Sequence, residues 1–283
     1  MDLLVGTAAG VLDLEGRYLL EGTGVSHVTG DTGDWWAATD GGLVRNGQAV
    51  ASPPSGARLN CVAVAGDRIW VGADSARLFR FSDGELIEDP ALADAPGRDT
   101  WHTPWGGPPD VRSLAVGSDG VLYVNVHVGG ILRRDGEGFT PLVDIHSDVH
   151  QVAAHPHQPR AVAAATARGL AVAFDGGSFE FRTEGLEHSY CRAVGLEEET
   201  VLVSASRGPR GGASRLYRGS LRGGDLAACG DLPPFDSNLD THCVLARSDG
   251  YFLGHGSSVW VSRDRGETWE EAAGGLPTIT SLA

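Results

Sequence analysis

The sequence contains no lysine. All 22 basic residues among its 283 are arginine, against 37 aspartate and glutamate residues, so the formal net charge is −15. Nucleic acids and anionic membrane surfaces are bound by basic faces, which a chain of this charge is poorly suited to form. The composition therefore argues against both kinds of partner.

Long apolar runs are also lacking. No stretch approaches the roughly 18 apolar residues of a membrane-spanning helix. Residues 1–6 enter a strand-like pattern with no basic region and no long apolar region, so a secretory signal is not expected. The four cysteines show no CxxC spacing, and we expect buried, reduced thiols at Cys61, Cys191, Cys229 and Cys243. These absences predict a cytoplasmic protein without a membrane partner.

Turn-forming residues are abundant. The chain has 41 glycines and 14 prolines, with aromatic residues scattered singly, which suits many short strands joined by turns. Strand-like runs recur in units of about 40 residues, the period of a four-stranded propeller blade. The sequence predicts an all-β, seven-bladed β-propeller that forms one domain over residues 1–283. Six blades are the alternative, because the second unit is short.

The units follow one another along the whole chain. The first has strand-like runs at 3–7, 10–13 and 18–20 but lacks an innermost strand. Residues 278–283 have the pattern of an innermost strand, so we expect the last strand to complete the first blade and remove an exposed sheet edge. The other units span residues 25–50, 59–87, 111–143, 149–181, 190–229 and 241–272.

One irregular segment, residues 89–109, separates the third and fourth units. It contains Trp101, His102 and Trp105. Long loops in a compact repeat are commonly functional or act as lids, so we expect these three residues to form part of a ligand pocket. The alternative is a loop that only covers apolar surface.

A column of polar residues precedes the core of each innermost strand by two places. Alternation along a strand predicts that these side chains face the central channel near one mouth. The column consists of Thr280, Ser26, Asn60, Arg112, His150, Arg192 and His242. A second column, at the ends of the second strands, is predicted at the same mouth and consists of Thr7, Thr39, Asp74, His127, Thr166 and His255.

Histidines in these columns suggest a metal site. Imidazoles converging from separate strands can hold Zn, Fe, Cu or Ni with an open position, and His127, His150, His242 and His255 are the best placed. Alternatively, Arg112 and Arg192 bind an anionic small molecule through bidentate hydrogen bonds. The simplest alternative is a hydrated channel whose polar groups are all paired.

Several further residues are candidates for ligand binding or proton transfer. Asp74 and Glu187 are candidate general acids or bases. Asp110, Asp148 and Asp240 each precede a residue of the first column by two and are candidates to orient it. Tyr190 is either a nucleophile or an aromatic side chain at the mouth. The predicted catalytic residues are Arg112, Arg192 and Asp74, and the predicted ligand-binding residues are Asn60, Trp101, His102, Trp105, His188 and Tyr190.

The most complete turn signature lies in the seventh unit. It reads Ser262-x-Asp264-x-Gly266-x-Thr268-Trp269, in which Asp264 can bond turn amides, Gly266 supplies a positive φ and Trp269 packs behind the turn. This pattern resembles the Asp-box of BNR-repeat propellers. The resemblance implies architecture more than chemistry, because the box lies away from the active centre in those families.

Sialidases are one branch of these propellers. The resemblance implies an arginine triad, to which Arg112 and Arg192 correspond as two members, a tyrosine nucleophile assisted by a glutamate, and an aspartate acid/base. This chain lacks the N-terminal Arg-Ile-Pro-like sequence, and its predicted seven blades depart from the sialidase six. It is more similar to bacterial YVTN/WD40/BNR-like propellers, whose fold does not determine function.

Three functions are compatible with the sequence. The first is a small-molecule-binding propeller, acting as a metal-dependent enzyme at the mouth of the channel. The second is a protein-interaction scaffold, which predicts apolar patches on one face. The third is a glycoside hydrolase, which predicts a pair of carboxylates at catalytic separation.

Overall fold

Short strands and turns alternate along the whole chain and build seven antiparallel sheets of four strands each. The computed structural model describes residues 2–103, 106–175 and 177–283. The strands of the first three blades are β1 (Val5–Thr7), β2 (Gly10–Leu12), β3 (Tyr18–Glu21), β4 (Val25–Gly30), β5 (Trp35–Thr39), β6 (Gly42–Arg45), β7 (Gln48–Ala51), β8 (Leu59–Ala65), β9 (Arg68–Ala73), β10 (Arg77–Ser82) and β11 (Glu85–Glu88).

The later blades repeat the same plan. Their strands are β12 (Val111–Val116), β13 (Leu122–Val126), β14 (Gly130–Asp135), β15 (Gly138–Val143), β16 (Val149–Ala154), β17 (Val162–Thr166), β18 (Gly169–Ala173), β19 (Glu180–Arg182), β20 (Val194–Glu197), β21 (Thr200–Ala205), β22 (Arg215–Ser220), β23 (Gly223–Ala228), β24 (Val244–Arg247), β25 (Gly250–His255), β26 (Ser258–Ser262), β27 (Glu270–Ala273) and β28 (Ile279–Leu282).

The last strand closes the ring. β28 pairs antiparallel with β1, with Val5 opposite Leu282 and Gly6 opposite Ser281, so it is the innermost strand of the first blade. The predicted seven-bladed propeller and its closure are confirmed, and the six-bladed alternative is wrong. The short second unit is a complete blade, because β4 to β7 need only residues 25–51.

The hydrophobic core is divided among the blade interfaces. Among the described residues, one apolar cluster lies between each pair of neighbouring blades. All four cysteines are buried and free within these clusters or at their edges, as expected. Burial raises the pKa of the Cys61 and Cys243 thiols far above the usual range, which keeps both thiols protonated.

The segment between blades three and four has some regular structure. It contains a short helix, α1 (Pro90–Ala93), capped by Asp89, and a 3-10 turn over Arg98–Thr100. A second 3-10 turn, Ile145–Ser147, follows blade four. Leu92 is buried in the cluster between blades three and four, so part of the segment covers apolar surface. No helix among the described residues is long and apolar enough to cross a membrane.

The turn between β26 and β27 has the contacts that its sequence predicts. Asp264 accepts hydrogen bonds from the Thr268 backbone N–H at 2.9 Å and from its hydroxyl at 2.6 Å. Gly266 has φ 87° and donates its N–H to Ser262 Oγ at 2.7 Å. Trp269 is buried between blades six and seven, and its indole N–H donates to the Gly266 carbonyl at 3.3 Å. The turn therefore joins two blades.

Two innermost strands begin later than predicted. β20 begins at Val194, whereas Tyr190 forms only an isolated bridge with Ser206. β24 begins at Val244, after a turn in which His242 has φ 67°. In these two blades, Arg192 and His242 consequently precede the strand.

Candidate functional site

The first polar column coincides with a bulge that is repeated from blade to blade. In five blades the pairing of the innermost strand with the second strand skips one residue, and that residue belongs to the column. The skipped residues are Thr280, Ser26, Asn60, Arg112 and His150. Simple alternation, from which the column was predicted, does not hold here, because a bulge adds a residue and redirects its side chain.

The residue that follows the skipped one in an innermost strand links neighbouring blades. The innermost strands leave one edge unpaired, and buried backbone N–H groups on such an edge need acceptors. Side chains of the preceding blade supply them in four places. The bonds run from Val28 N to Ser281 Oγ (3.1 Å), from Val62 N to His27 Nδ1 (3.1 Å), from Val152 N to Ser113 Oγ (3.0 Å) and from Val194 N to Gln151 Oε1 (3.3 Å).

Three of the five bulged residues line a cavity at one mouth of the channel. This cavity has a volume of about 280 Å³ and is lined by Ser26, Arg58, Asn60, Asp110, Arg112, His127, Thr241 and His242. A second cavity of about 350 Å³ includes Arg192, Asp240 and His255 in its lining. Asp240 connects the two, because its carboxylate faces both Arg192 and Arg112.

Asp148 lies between two of the predicted metal ligands. Its Oδ1 is 3.2 Å from His127 Nε2 and 3.6 Å from His150 Nε2, and the three atoms lie within 4.8 Å of one another. The donor set, two imidazoles and one carboxylate, is one that binds Zn or Fe(II) with open positions. This is a possible metal-binding triad, assembled from blades four and five.

Hydrogen bonding fixes the orientation of His150. Its Nδ1–H donates to the Cys191 carbonyl at 2.6 Å, which turns the Nε2 lone pair towards Asp148. Burial lowers the pKa of His150, so the ring is neutral. Burial alone would raise the pKa of Asp148, but hydrogen bonding to His127 helps to hold it well below the usual range. A neutral imidazole nitrogen therefore faces a carboxylate oxygen.

His150 Nε2 has no hydrogen-bond partner among the described residues, although it is buried. Asp148 Oδ1 is also buried and faces His127 Nε2 at 3.2 Å as well as His150. Two acceptors in contact repel each other unless a cation or a proton lies between them. The backbone beside the triad is also strained, because Asp148 has φ 45° and Val128, which follows His127, has φ 57°. Such conformations are common at functional sites.

Two arginines lie beside the triad. Arg192 Nη2 is 2.9 Å and Arg112 Nη2 is 3.9 Å from the same oxygen, Asp240 Oδ1. Burial and the neighbouring Arg192 both lower the pKa of Arg112. Within the described part of the chain, the buried Nε of Arg192 has no hydrogen-bond partner.

Tyr190 packs against the triad. Its ring centroid lies 4.7 Å from that of His150. Burial raises the pKa of the Tyr190 phenol, and the nearby Asp148 raises it further. The phenol is therefore protonated and suited to donate a hydrogen bond, whereas a tyrosine nucleophile needs the opposite shift.

The other two predicted metal ligands lie elsewhere at the mouth. His242 stacks on His27 with ring centroids 4.0 Å apart, and its Nε2–H donates to the Arg112 carbonyl at 3.3 Å. Burial lowers the pKa of His242 to about 4. His255 Nε2 is 3.3 Å from Ser237 Oγ, and its ring packs 4.5 Å from Phe235. Neither belongs to the triad found among the described residues.

Two predicted site residues of blade three, Asp74 and Asn60, form hydrogen bonds with nearby turn and backbone groups. Asp74 accepts from Arg77 Nη2 at 2.6 Å and from the Arg58 N–H at 3.3 Å, within the turn between β9 and β10. Asn60 donates to the Val111 carbonyl at 3.2 Å. These contacts account for both side chains without a ligand, and their functional roles stay predictions.

Candidates on the connecting segments are dispersed. Trp101 packs on the turn that follows His127, and Arg98 lies over its ring at 5.4 Å. His102 is exposed and donates through Nδ1 to the Thr100 carbonyl at 2.8 Å. His188 Nε2 lies 3.6 Å from Glu187. Trp105 lies outside the described residues, and the predicted roles of the other three are untested.

Two features of the site were not predicted. One is the role of Asp148, which the sequence predicts only to orient His150, two residues later. Residues 206–214 and 230–240 form a wall at the mouth, joined by paired backbone bonds between Ser214 and Phe235. The sequence signal for this wall was the glycine-rich turn at 208–212, whose partner segment could not be identified from spacing.

The fold and the mouth together define a seven-bladed β-propeller with a polar site on its axis. No family model and no curated protein matches this sequence. The solved structures that resemble it include a computationally designed protein, with TM-score 0.64 and 14% identity, covering 100% of this chain and 87% of that one.

Two enzymes are also similar in structure. A catalytically inactive variant of virginiamycin B lyase from Staphylococcus aureus, crystallised with quinupristin, has TM-score 0.62 and 13% identity over 90% of this chain and 88% of that chain. An ancestral GH74 enzyme has TM-score 0.63 and 12% identity over 100% of this chain and 39% of that chain. At these identities the likeness shows the fold alone.

Proposed function

We propose that this protein is a metal-dependent enzyme that binds a small molecule at the mouth of its channel. His127 Nε2, Asp148 Oδ1 and His150 Nε2 would hold one divalent transition metal ion, of the kind Zn, Fe, Cu or Ni. The observation that carries the proposal is the convergence of these three atoms within 4.8 Å of one another, with His150 Nε2 buried and without a hydrogen-bond partner among the described residues. A bound cation would give His150 Nε2 a partner.

The surrounding residues support catalysis at this position. A metal held by three side chains keeps open positions for water or substrate and can activate either one. The Cys191 carbonyl orients His150, as outer hydrogen bonds commonly do for ligating histidines. The protonated Tyr190 can donate a hydrogen bond or a proton, and Arg112 and Arg192 can orient an anionic group.

Metal content tests the proposal. Protein stripped of metal and reloaded with Zn²⁺ should retain about one ion per chain after dialysis, and His150→Ala and His127→Ala should retain none. His157→Ala is the matched control, because His157 is exposed. Loading with Co²⁺ should give visible absorption bands that the two site variants lack. If both variants hold as much metal as the wild type and bind ligand equally well, the scaffold alternative is favoured.

We also propose that the chain is an Asp-box propeller of the cytoplasm. The hydrogen-bonded turn at residues 262–269 supports the first part, and the four buried free cysteines support the second. The sialidase alternative gains no support from Tyr190, since the pKa of its phenol is raised.

A further inference from the structure

The arginines at the mouth have more positive charge than their neighbours neutralise. Asp240 faces two of them, at 2.9 Å from Arg192 and 3.9 Å from Arg112. Asp148 is a second carboxylate near Arg112, whose pKa it raises. A third arginine, Arg210, lines the same cavity as Arg192. Three guanidinium groups therefore face two carboxylates, and one positive charge is left over.

Two of these arginines are largely shielded from water. The side chains of Arg112 and Arg192 are only 21% and 19% exposed, so solvent compensates their charge poorly. Arg192 Nε is buried without a hydrogen-bond partner in the described part of the chain. An oxyanion can satisfy both needs, because the planar guanidinium donates in a fork that matches a carboxylate.

A preformed pocket lies beside the arginines. The cavity of about 350 Å³ that Arg192 lines is also bounded by Pro209, Ser237, Asn238 and His255. Its volume falls within the range of small-molecule sites. Ser237, Asn238 and His255 offer polar groups, so the pocket suits a ligand with hydroxyl or similar substituents.

The wall of this pocket is held in place by hydrogen bonds. Gly212 N donates to the Asp236 carbonyl at 2.8 Å, and Asn238 Nδ2 donates to the Pro209 carbonyl at 3.0 Å. Ser206 Oγ bonds Asn238 Oδ1 at 2.5 Å. A wall fixed before binding reduces the ordering that binding requires, which favours recognition of a small ligand.

We infer that the substrate is a small polar monocarboxylate. Its carboxylate binds between Arg112 and Arg192, and its body occupies the pocket beneath the wall. A single unmatched positive charge suits a monoanion better than a doubly charged phosphate or sulfate. The inference names the substrate of the proposed enzyme and rests on that function for catalysis, but binding at the arginines does not require the metal.

Calorimetric titration of metal-free protein in EDTA tests this inference. The probes are lactate and gluconate, with lactamide as the neutral counterpart and inorganic phosphate and sulfate as dianions, all at one ionic strength. We expect the two carboxylates to bind, gluconate more tightly because it fills more of the pocket. Arg112→Gln and Arg192→Gln should each weaken carboxylate binding at least about tenfold. Arg45→Gln should bind like the wild type, because Arg45 pairs with Asp34 at 2.9 Å and lines neither cavity of the mouth.

Every other pattern counts against the inference. Equal binding of lactamide, tighter binding of phosphate or sulfate, loss in Arg45→Gln to the same extent, or no binding of any probe would each overturn it. Thermal unfolding of each variant shows whether a loss reflects misfolding, and an Arg192→Lys variant that keeps the charge should recover part of the affinity. Metal loading of the same samples is scored separately, so either proposal can fail while the other stands.

Discussion

The turn after the second strand has two residues in blades one, two and five, where the strand ends in threonine, and three residues in blade four, where the strand ends in Val126 and His127 begins the turn. The hydroxyls of Thr7, Thr39 and Thr166 donate to the carbonyl three residues later, at 2.8 to 2.9 Å. His127 faces Asp148 instead, and the next residue, Val128, adopts a left-handed conformation.

The same turn thus serves two purposes. In three blades the threonine side chain satisfies local backbone groups, which stabilises the turn. In blade four Val126 takes the place of the threonine, the turn gains one residue, and the strained Val128 follows His127, although β13 and β14 pair without interruption. Departures from a repeated structural rule are expected where a side chain is needed for function. The comparison therefore indicates that the turn after β13, which carries His127, is a functional part of blade four.

The largest expected effect comes from a position that is purely structural. Trp269→Ala should lower the free energy of unfolding by about 3–5 kcal/mol, because it removes a buried indole between blades six and seven. Urea unfolding measures the change. The amount of metal bound per folded chain should stay the same. A loss of bound metal, measured at the same fraction of folded protein, would mean that the turn at residues 262–269 also affects the site at the mouth.

Removing the imidazole from the longer turn gives the next effect. His127→Thr should weaken metal binding by more than about 100-fold, since a ligand is lost. The free energy of unfolding of the metal-free protein should change by less than about 1 kcal/mol, because a threonine hydroxyl can bond local backbone groups of the turn. Competition with a chromophoric chelator measures the affinity, and Ala167→His, at the equivalent position of blade five, should gain no metal. Retained affinity in His127→Thr would show that the imidazole is not a ligand.

Much of the fold follows from local sequence, whereas the site depends on geometry between blades. Gly266 and Trp269 specify their turn within eight residues, and the pattern of residues 278–283 was enough to predict ring closure. The bulge at His150 could not be recognised in the sequence, because a strand with one skipped pairing has the same alternation of residue types as a regular strand.

Geometry between segments also explains why the four predicted metal ligands do not all meet at one site. His242 was expected to coordinate with His150, but the turn before β24 directs it onto His27. His255 was expected at the same centre, but the wall at 230–240 places Phe235 and Ser237 against it. Contacts between segments that are so far apart in the chain cannot be inferred from the residue pattern within either segment.

The pH dependence of stability separates the buried histidines from the triad. Burial lowers the pKa of His242 to about 4, and burial together with His242 lowers that of His27 well below its usual range. In the unfolded chain both titrate near their ordinary value of about 6.5. The unfolded state therefore binds more protons between these values, so stability is fully present above about pH 6.5 and is lost as the pH falls towards about 4.

The loss attributable to His242 should be at most about 3 kcal/mol. Urea unfolding across this pH range measures it in metal-free protein. His242→Gln should flatten the dependence, whereas His157→Gln should leave it unchanged, because His157 is exposed. An equally steep curve in His242→Gln would rule out this origin for the acid sensitivity.

The smallest expected effect concerns a threonine of the comparison. Thr166→Val keeps the shape of the side chain but removes the buried hydroxyl that bonds Gly169 and Arg168. The free energy of unfolding should fall by about 1–2 kcal/mol, since one buried carbonyl and one N–H lose their partner. Thermal or urea unfolding measures it. An unchanged free energy of unfolding would show that the threonine hydroxyl does not stabilise the turn.

Anomalous X-ray scattering from crystals soaked in Zn²⁺ tests the central claim most directly. The account predicts one strong peak at the mouth of the channel, within bonding distance of His127 Nε2, Asp148 Oδ1 and His150 Nε2. A map with no peak among these atoms, or with its strongest peak at His242 or His255, would contradict it.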